Sequence, residues 1–495
     1  MNIQVSILVS VALISSVLFL RRRRTPRLPY PPGPMVTDIP IFNSWVQYQK
    51  WGEEYGPIIY IGNRNILIIN DLQVAVDLLE KRASIYSDRE SSVILRLSNV
   101  ENTDWALQRY SDKWRKNRKT FLQTFRQAAV HRFYPTQYKE VYLFLQRLLT
   151  APDEFMQHTM ALSQRSIYTG LYGLDVEARD PLARKTLAML EDLSLTQLPG
   201  AFPLLARFPW LRFFPSWFPG CDFKQFAQHL RKEVTETASI PFDLAVNNRK
   251  SGKSTAILAD LAAENEQNPE QIERLKAMGT RLKQRCIPMA AGADTIIRLR
   301  PYQTGASVSS FLLAMVMHPD VQARGQEEID RIVGPDRLPT FEDRLSLPFV
   351  ESIYRCVVIP NIWAMNRDPS RYPDPNVFRP ERFLELPNGP FTSINDISAF
   401  GFGRRICPGR YMADNTVWLA IASVLATLTL GKAKDEEGNE VKVSGEFTDA
   451  FLRFDFPFFI VSIHTDTAFV TVYYPKVIQN RTNAPSSLAL STRKS

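Results

Sequence analysis

The sequence predicts a mainly α-helical body with a minor β-sheet, preceded by one N-terminal transmembrane helix. Three patterns predict this. Apolar residues recur at helical spacing in several stretches, strict alternation is confined to one short pair of segments, and an uncharged apolar run opens the chain. That run, Ile3 to Leu20, would extend roughly 27 Å as a helix, enough to cross a bilayer. Four serines and Gln4 make it a modest span. Arg21, Arg22, Arg23 and Arg24 follow it directly. A cleavable signal peptide carries its charges before the apolar run, whereas charges behind it mark a stop-transfer segment with the body on the cytoplasmic side. Residues 1–20 are therefore read as a membrane anchor and 21–34 as a basic, proline-rich linker. Its end, Tyr-Pro-Pro-Gly-Pro from Tyr30 to Pro34, is stiff because proline fixes φ.

Residues 35–475 form the body. Alternating apolar residues at Ile58–Ile61 and Ile66–Ile69, separated by Gly-Asn-Arg-Asn, predict a hairpin. Leu72, Val76 and Leu79 share one helical face, and Leu143, Leu145, Leu148 and Leu149 support a second helix. Asp320–Val333 follows His318-Pro319, with proline near a helix start. Val417–Leu430 is long, apolar and without charge, and so predicts a buried helix. The tail, 476–495, is rich in Ser, Thr and Asn and is expected to be disordered.

Charge excludes nucleic acid as a partner. The net charge is +9, but Arg27 and the four arginines before it supply five of those charges, leaving 55 basic against 51 acidic residues. Cys221, Cys286, Cys356 and Cys407 lie far apart with no C-x-x-C pair, which argues against a zinc site or a disulfide framework. A reducing compartment fits, and there a lone cysteine can act as a metal ligand.

One cysteine stands in a loop suited to that role: Phe400-Gly-Phe-Gly-Arg-Arg-Ile-Cys-Pro-Gly409. A soft thiolate suits iron but must be kept anionic. Gly401, Gly403 and Gly409 let backbone N–H groups approach the sulfur, Phe400 or Phe402 can shield it, and Arg405 can pair with a haem propionate. A glycine-rich turn around a structural cysteine is the plainer alternative. The pattern F-x-x-G-x-R-x-C-x-G fixes five residue types, and one start position matches it by chance about once in three million.

These residues resemble those of the cytochrome P450 family, the haem-thiolate oxygenases, and the similarity extends from the Pro-Pro-Gly-Pro spacer to about Pro457-Phe458. The microsomal members of fungal type are the most similar. The resemblance implies the P450 fold and haem b (iron protoporphyrin IX) with Cys407 as its metal ligand. It also implies O2 as co-substrate, electrons from an NADPH-cytochrome P450 reductase, and a single-pass position in the endoplasmic reticulum membrane, in contact with membrane lipid. The expected reaction inserts one oxygen atom into an apolar small-molecule substrate.

Further matches follow one residue at a time. Glu351 and Arg355 stand at i, i+4 on one helix face, a spacing that by itself most often marks a surface pair. Phe378-Arg-Pro-Glu-Arg-Phe383 resembles the family stretch whose arginine, here Arg382, completes a buried Glu–Arg–Arg network with them, a structural clamp. Trp114-Arg-Lys-Asn-Arg118 resembles a helix from which Trp114 and Arg118 reach haem propionates. Lys113, Arg115, Lys116 and Lys119 around it form a basic patch of the kind that docks an acidic reductase. Ala290-Ala-Gly-Ala-Asp-Thr295 resembles the oxygen-side helix, where Gly292 or Ala291 leaves room for O2 and Asp294 and Thr295 relay protons through water. Phe208 to Gly220 holds six aromatic residues and three prolines. It reads either as irregular core or as a loop dipping into the membrane interface.

Two places depart from the family pattern. An apparent insertion, 296–303, puts Arg298, Arg300 and Pro301 into what should be one continuous helix. Eight extra helical residues would shift the register by roughly 80° and 12 Å, and Pro301 makes a break costing about 3 kcal/mol the easier outcome. An apparent deletion follows Arg355, where members carry a further segment with a pocket-lining strand. Loss of that strand would leave sheet edges unpaired. The alternatives to a working monooxygenase are an inactive or impaired haem-binding remnant, expected from these two joins, and a reductase-independent haem-thiolate isomerase or dehydratase, against which Asp294 and Thr295 argue.

Overall fold

Strands β1 (Ile58–Ile61) and β2 (Ile66–Ile69) pair antiparallel, Ile58 opposite Ile69 and Ile61 opposite Ile66, as the alternation predicts. The computed structural model describes residues 29–35, 44–62, 66–89, 92–104, 106–177, 180–196, 202–253, 256–284, 303–358, 365, 368–386, 389–391, 393–394, 397–432, 439–440, 463–465 and 468–470. Ile59 and Ile61 point the same way because strand side chains alternate, and they bury against Tyr48 and Trp51 of α1 (Ser44–Tyr55). Strand β3 (Ile463–Thr465) pairs antiparallel with β4 (Ala468–Val470). The other long elements are helices: α2 (Asp112–Phe125), α3 (Tyr134–Thr150), α4 (Phe155–Tyr172), α5 (Pro181–Leu195), α6 (Phe223–Lys250), α7 (Ile257–Glu264), α8 (Pro269–Gln284), α9 (Gln303–Met317), α10 (Pro319–Ile332), α11 (Pro348–Val358) and α12 (Arg410–Thr427). The mainly α body with a minor sheet is as expected.

The apolar helix α12 is the centre of the packing, against α3, α9, α10 and α11. Trp418, Ile421, Ala422 and Val424 are fully buried there with Phe144, Leu148, Phe311 and Tyr354. Its ends differ from the apolar run. The helix begins at Arg410, directly after Gly409, and stops at Thr427, because Leu428 turns extended (φ −128°, ψ 141°). That exit is stabilised by α10, where Gln326 and Gln322 donate to the carbonyls of Leu428 and Leu430, each at 2.9 Å. A buried backbone group must find a partner, and here side chains provide it.

A second core joins α2, α4, α6, α7 and α8 through Phe121, Phe125, Tyr168, Tyr172, Phe242, Leu258 and Leu275. Near the hairpin, Asp71 caps the Leu72–Val76 helix by accepting from the Val74 amide at 2.7 Å. The α spacing ends at Val76 and a π-turn spans Asp77–Lys81, yet Leu72, Val76 and Leu79 still pack in one cluster with Phe402. Among the described residues no helix is long and apolar enough to cross a membrane. The anchor expected at 1–20 and the tail at 476–495 lie outside the described residues, as do Cys286, Asp294, Thr295 and 296–302 of the apparent insertion. Helix α9 opens at Gln303, two residues past Pro301.

Candidate active site

The cysteine loop is built from two short 3-10 turns, Ser398–Phe400 and Gly403–Arg405, leading into α12. The Cys407 amide donates to the Phe400 carbonyl at 2.7 Å and closes the loop. Gly401 and Gly403 take φ of 77° and 52°, a region that costs a residue with a Cβ. At Gly403 a Cβ would also overlap the Leu79 carbonyl oxygen of the π-turn. Gly403→Ala should therefore destabilise the protein by about 1–3 kcal/mol, the usual cost of such local strain. Denaturant melts check this, and an unchanged midpoint would show that the turn is not held rigidly against Leu79.

Gly409, by contrast, sits at φ −87° as the residue before α12, an angle open to any residue. Phe402 is buried and Phe400 half-buried, both beside the loop.

Helix α2 delivers the next residues. Ser111 caps it by accepting from the Trp114 amide at 3.2 Å, and the i, i+4 spacing puts Trp114 and Arg118 on its buried face. Both terminal nitrogens of Arg118 donate to the Ile406 carbonyl at 3.1 Å, next to Cys407. The guanidinium of Arg405 stacks on the Trp114 indole at 4.3 Å, with that of Arg118 at 5.6 Å from the same ring. Arg405 also donates to the carbonyls of Ser87 at 2.8 Å and Gln108 at 3.0 Å. Trp114, Arg118, Arg405 and Cys407 thus meet, from segments far apart in sequence.

Two residues were not singled out from the sequence. Arg410 donates to the Cys407 carbonyl at 2.9 Å, and Arg404 bonds the Tyr110 hydroxyl. Their signal was the density of arginine around one cysteine. Asp88 holds the neighbouring segments together by accepting from Arg109 and from the Tyr110 amide, and chiefly the Arg109 bond lowers its carboxyl to about 2.

The buried charge network differs from expectation. Glu351 does not hydrogen-bond Arg355; it accepts two bonds from Arg344, at 2.8 and 2.9 Å. Arg344 also donates to Asp414 of α12 at 2.6 and 3.0 Å, and the Tyr354 hydroxyl donates to Asp414 at 2.5 Å. Burial opposes the Arg344 charge, but Asp414 and Glu351 outweigh it and hold the group well above its ordinary range. Arg355 packs over the Phe383 ring at 5.7 Å with its Nε buried and without a hydrogen-bond partner, and burial lowers its pKa. Arg382 donates instead to the carbonyls of Pro373, Asp374, Val377 and Arg379. The physical reason is reach. Arg344, seven residues before Glu351 in a separate turn, faces Glu351 and Asp414 at once and satisfies two carboxylates with one planar fork.

Of the other cysteines, Cys221 is buried with its thiol 3.5 Å from the Leu211 carbonyl. Burial pushes the Cys356 thiol up to about 12. Neither is in the glycine-turned loop.

A helical body carrying a free cysteine in a glycine-turned loop, backed by guanidinium groups stacked on one indole, defines a haem-thiolate protein by the chemistry of its donors. The family model described as cytochrome P450 matches residues 26–355 and 356–445. The chain belongs to the cytochrome P450 family. It is 34% identical to a cytochrome P450 monooxygenase of Coprinopsis cinerea, over 90% of this chain and 94% of that one. It is 30% identical to tryptamine 4-monooxygenase of Psilocybe cyanescens, over 91% and 96%. A zebra fish cytochrome P450 structure with progesterone shares the fold at a TM-score of 0.57 and 18% identity, covering 78% of this chain and 93% of that one. The chain is a cytochrome P450 monooxygenase, and its cofactor is haem b.

The residues present fit that group. A soft sulfur ligand and two guanidinium groups suit an iron with two carboxylate side arms. The two pieces of the family match abut at Arg355, where a segment is expected to be missing.

Proposed function

We propose that this monooxygenase inserts one oxygen atom from O2 into an apolar organic substrate at the endoplasmic reticulum membrane, with electrons from an NADPH-cytochrome P450 reductase. The observation that carries it is the meeting of Cys407 with Trp114, Arg118 and Arg405. Cys407 would ligate the iron, and Arg118, Arg405 and the Trp114 indole would hold the propionates. Haem supplies the electron-transfer and oxygen-activating chemistry when bound. Phe400 or Phe402 would keep water from the sulfur. Asp294 and Thr295, consecutive in sequence, would supply a carboxyl and a hydroxyl that pass protons through water.

Two surfaces support the membrane and reductase parts. Lys113, Arg115, Lys116 and Lys119 are all exposed around α2, and an acidic reductase is steered by such a patch. A groove of about 480 Å³ bounded by Lys81, Arg404 and Arg410 opens beside the cysteine loop. Phe208–Gly220 forms a 3-10 turn and bends, with Phe213 75% and Trp217 79% exposed. Exposed aromatic rings suit the headgroup level and an apolar substrate arriving from lipid, rather than irregular core.

The test uses the full-length chain in vesicles with the reductase. Apolar compounds that shift the haem absorbance should accelerate NADPH oxidation only with the reductase present, and yield a product carrying one more oxygen atom. Binding without reductase-dependent consumption would overturn the reading and leave the remnant or the isomerase. The remnant reading rests on the two joins alone, against similarity running over nine-tenths of the chain.

A further inference from the structure

Away from the cysteine loop, helices α5 and α6 lie side by side and bring three metal-ligating side chains together. Asp192 comes from α5; His229 and Glu233 stand four apart on one face of α6. His229 Nε2 lies 3.4 Å from Asp192 Oδ2 and 3.7 Å from Glu233 Oε1. One ligand atom from each of the three falls within 4.8 Å of the others. Bonds of about 2.0–2.2 Å around a tetrahedral zinc ion require ligand atoms roughly 3.3–3.6 Å apart. The two measured separations are therefore close to the edges of such a tetrahedron before any ion enters.

We propose that Asp192, His229 and Glu233 form a binding site for one divalent transition-metal ion of the zinc class, which ties α5 to α6.

The surroundings favour an ion over a plain charge cluster. The second oxygen of Glu233, Oε2, is buried without a hydrogen-bond partner, so this carboxylate is incompletely satisfied. The nearby Lys185 is engaged by Glu236. Glu233 and Asp192 are largely sheltered, at 14% and 25% side-chain exposure, whereas His229 is 59% exposed and leaves a path for the ion and for water as a fourth ligand. One imidazole nitrogen and two carboxylates suit zinc, while calcium and magnesium prefer six or more oxygens. The consequence is mechanical. Met189, Leu190 and Leu193 of α5 pack with Leu230 and Val234 of α6 and with Leu95, Val100 and Leu107. Leu211 and Phe218 of the aromatic segment pack with Phe223 and Ala227 of α6, so a metal bridge to α5 would stiffen the helix that supports this segment.

The experiment uses the full-length, haem-loaded chain, freed of metal by chelator and titrated with Zn2+ against a chromophoric chelator. Unchanged haem absorbance serves as the fold control for each variant. The chain should bind one equivalent of Zn2+ more than His229→Lys, which keeps a cation but loses the ligand. Glu233→Gln should weaken that equivalent at least tenfold, and excess Ca2+ or Mg2+ should not displace it. Amide exchange in α5 and α6 should slow several-fold on adding Zn2+ to the unsubstituted chain only. Equal Zn2+ uptake by all three proteins would overturn the proposal, leaving His229 as the ordinary polar neighbour of the two acids. Equal displacement by Ca2+ would overturn the zinc class.

Discussion

Replacing Cys407 by Ser should abolish the thiolate-type absorbance of the reduced carbon monoxide complex. Cys221→Ser, Cys286→Ser and Cys356→Ser should all retain it. The reasoning is local. Among the described cysteines, Cys407 stands in a loop closed by its own amide on Phe400, with Arg118 and Arg410 on the flanking carbonyls. Cys221 is packed among apolar side chains, and the Cys356 thiol is held strongly protonated by burial. A serine hydroxyl is nearly the size of the thiol but is neither soft nor readily ionised, so the loop survives while the ligand is lost. The spectrum after reduction and carbon monoxide addition gives the answer. A thiolate-type band that persists in Cys407→Ser would assign the ligand elsewhere.

The second large effect is expected at Arg344. Arg344→Met leaves Glu351 and Asp414, at 5% and 13% side-chain exposure, facing each other without their shared cation. Breaking a buried pair by removing one partner typically costs about 3–5 kcal/mol, because the remaining charge stays desolvated. Two carboxylates share this cation, so the upper end of that range is expected. Arg355→Met should cost less, since the described residues give Arg355 a ring contact but no ion pair. Denaturant melts and haem retention of the two variants decide between the networks. If Arg355→Met is the more damaging, the Glu351–Arg355 pairing expected from the sequence is the working one.

Residue types and spacing were enough to determine the class of this protein. A glycine-turned cysteine loop, a helical body and one hairpin were legible because each depends on local chemistry: positive φ, apolar period, alternation. The hairpin registered as expected because its alternate isoleucines had one face to bury. The start of α12 was not legible, since the apolar run begins at Val417 whereas the helix begins at Arg410. Polar residues such as Asp414 carry the helix where Arg344 and Tyr354 satisfy them, and those partners are distant in sequence.

The same physical difference separates the two halves of the candidate site. Cys407, Trp114, Arg118 and Arg405 could be named from motifs, because the motif residues themselves reach one place. The pairing of Glu351 could not. Its i, i+4 neighbour is on the same helix face, but a carboxylate binds whichever guanidinium presents two parallel donors, and that was Arg344 on a separate turn. The Asp192, His229 and Glu233 cluster was equally hidden. His229 and Glu233 are one helical turn apart, yet nothing local announces that Asp192 on α5 faces them. Sequence by itself determined the family and the main helices and hairpin, since those follow from short-range backbone and side-chain properties. Tertiary structure alone decided which charges meet, because a long flexible side chain takes its partner from the packing of helices and not from the order of residues.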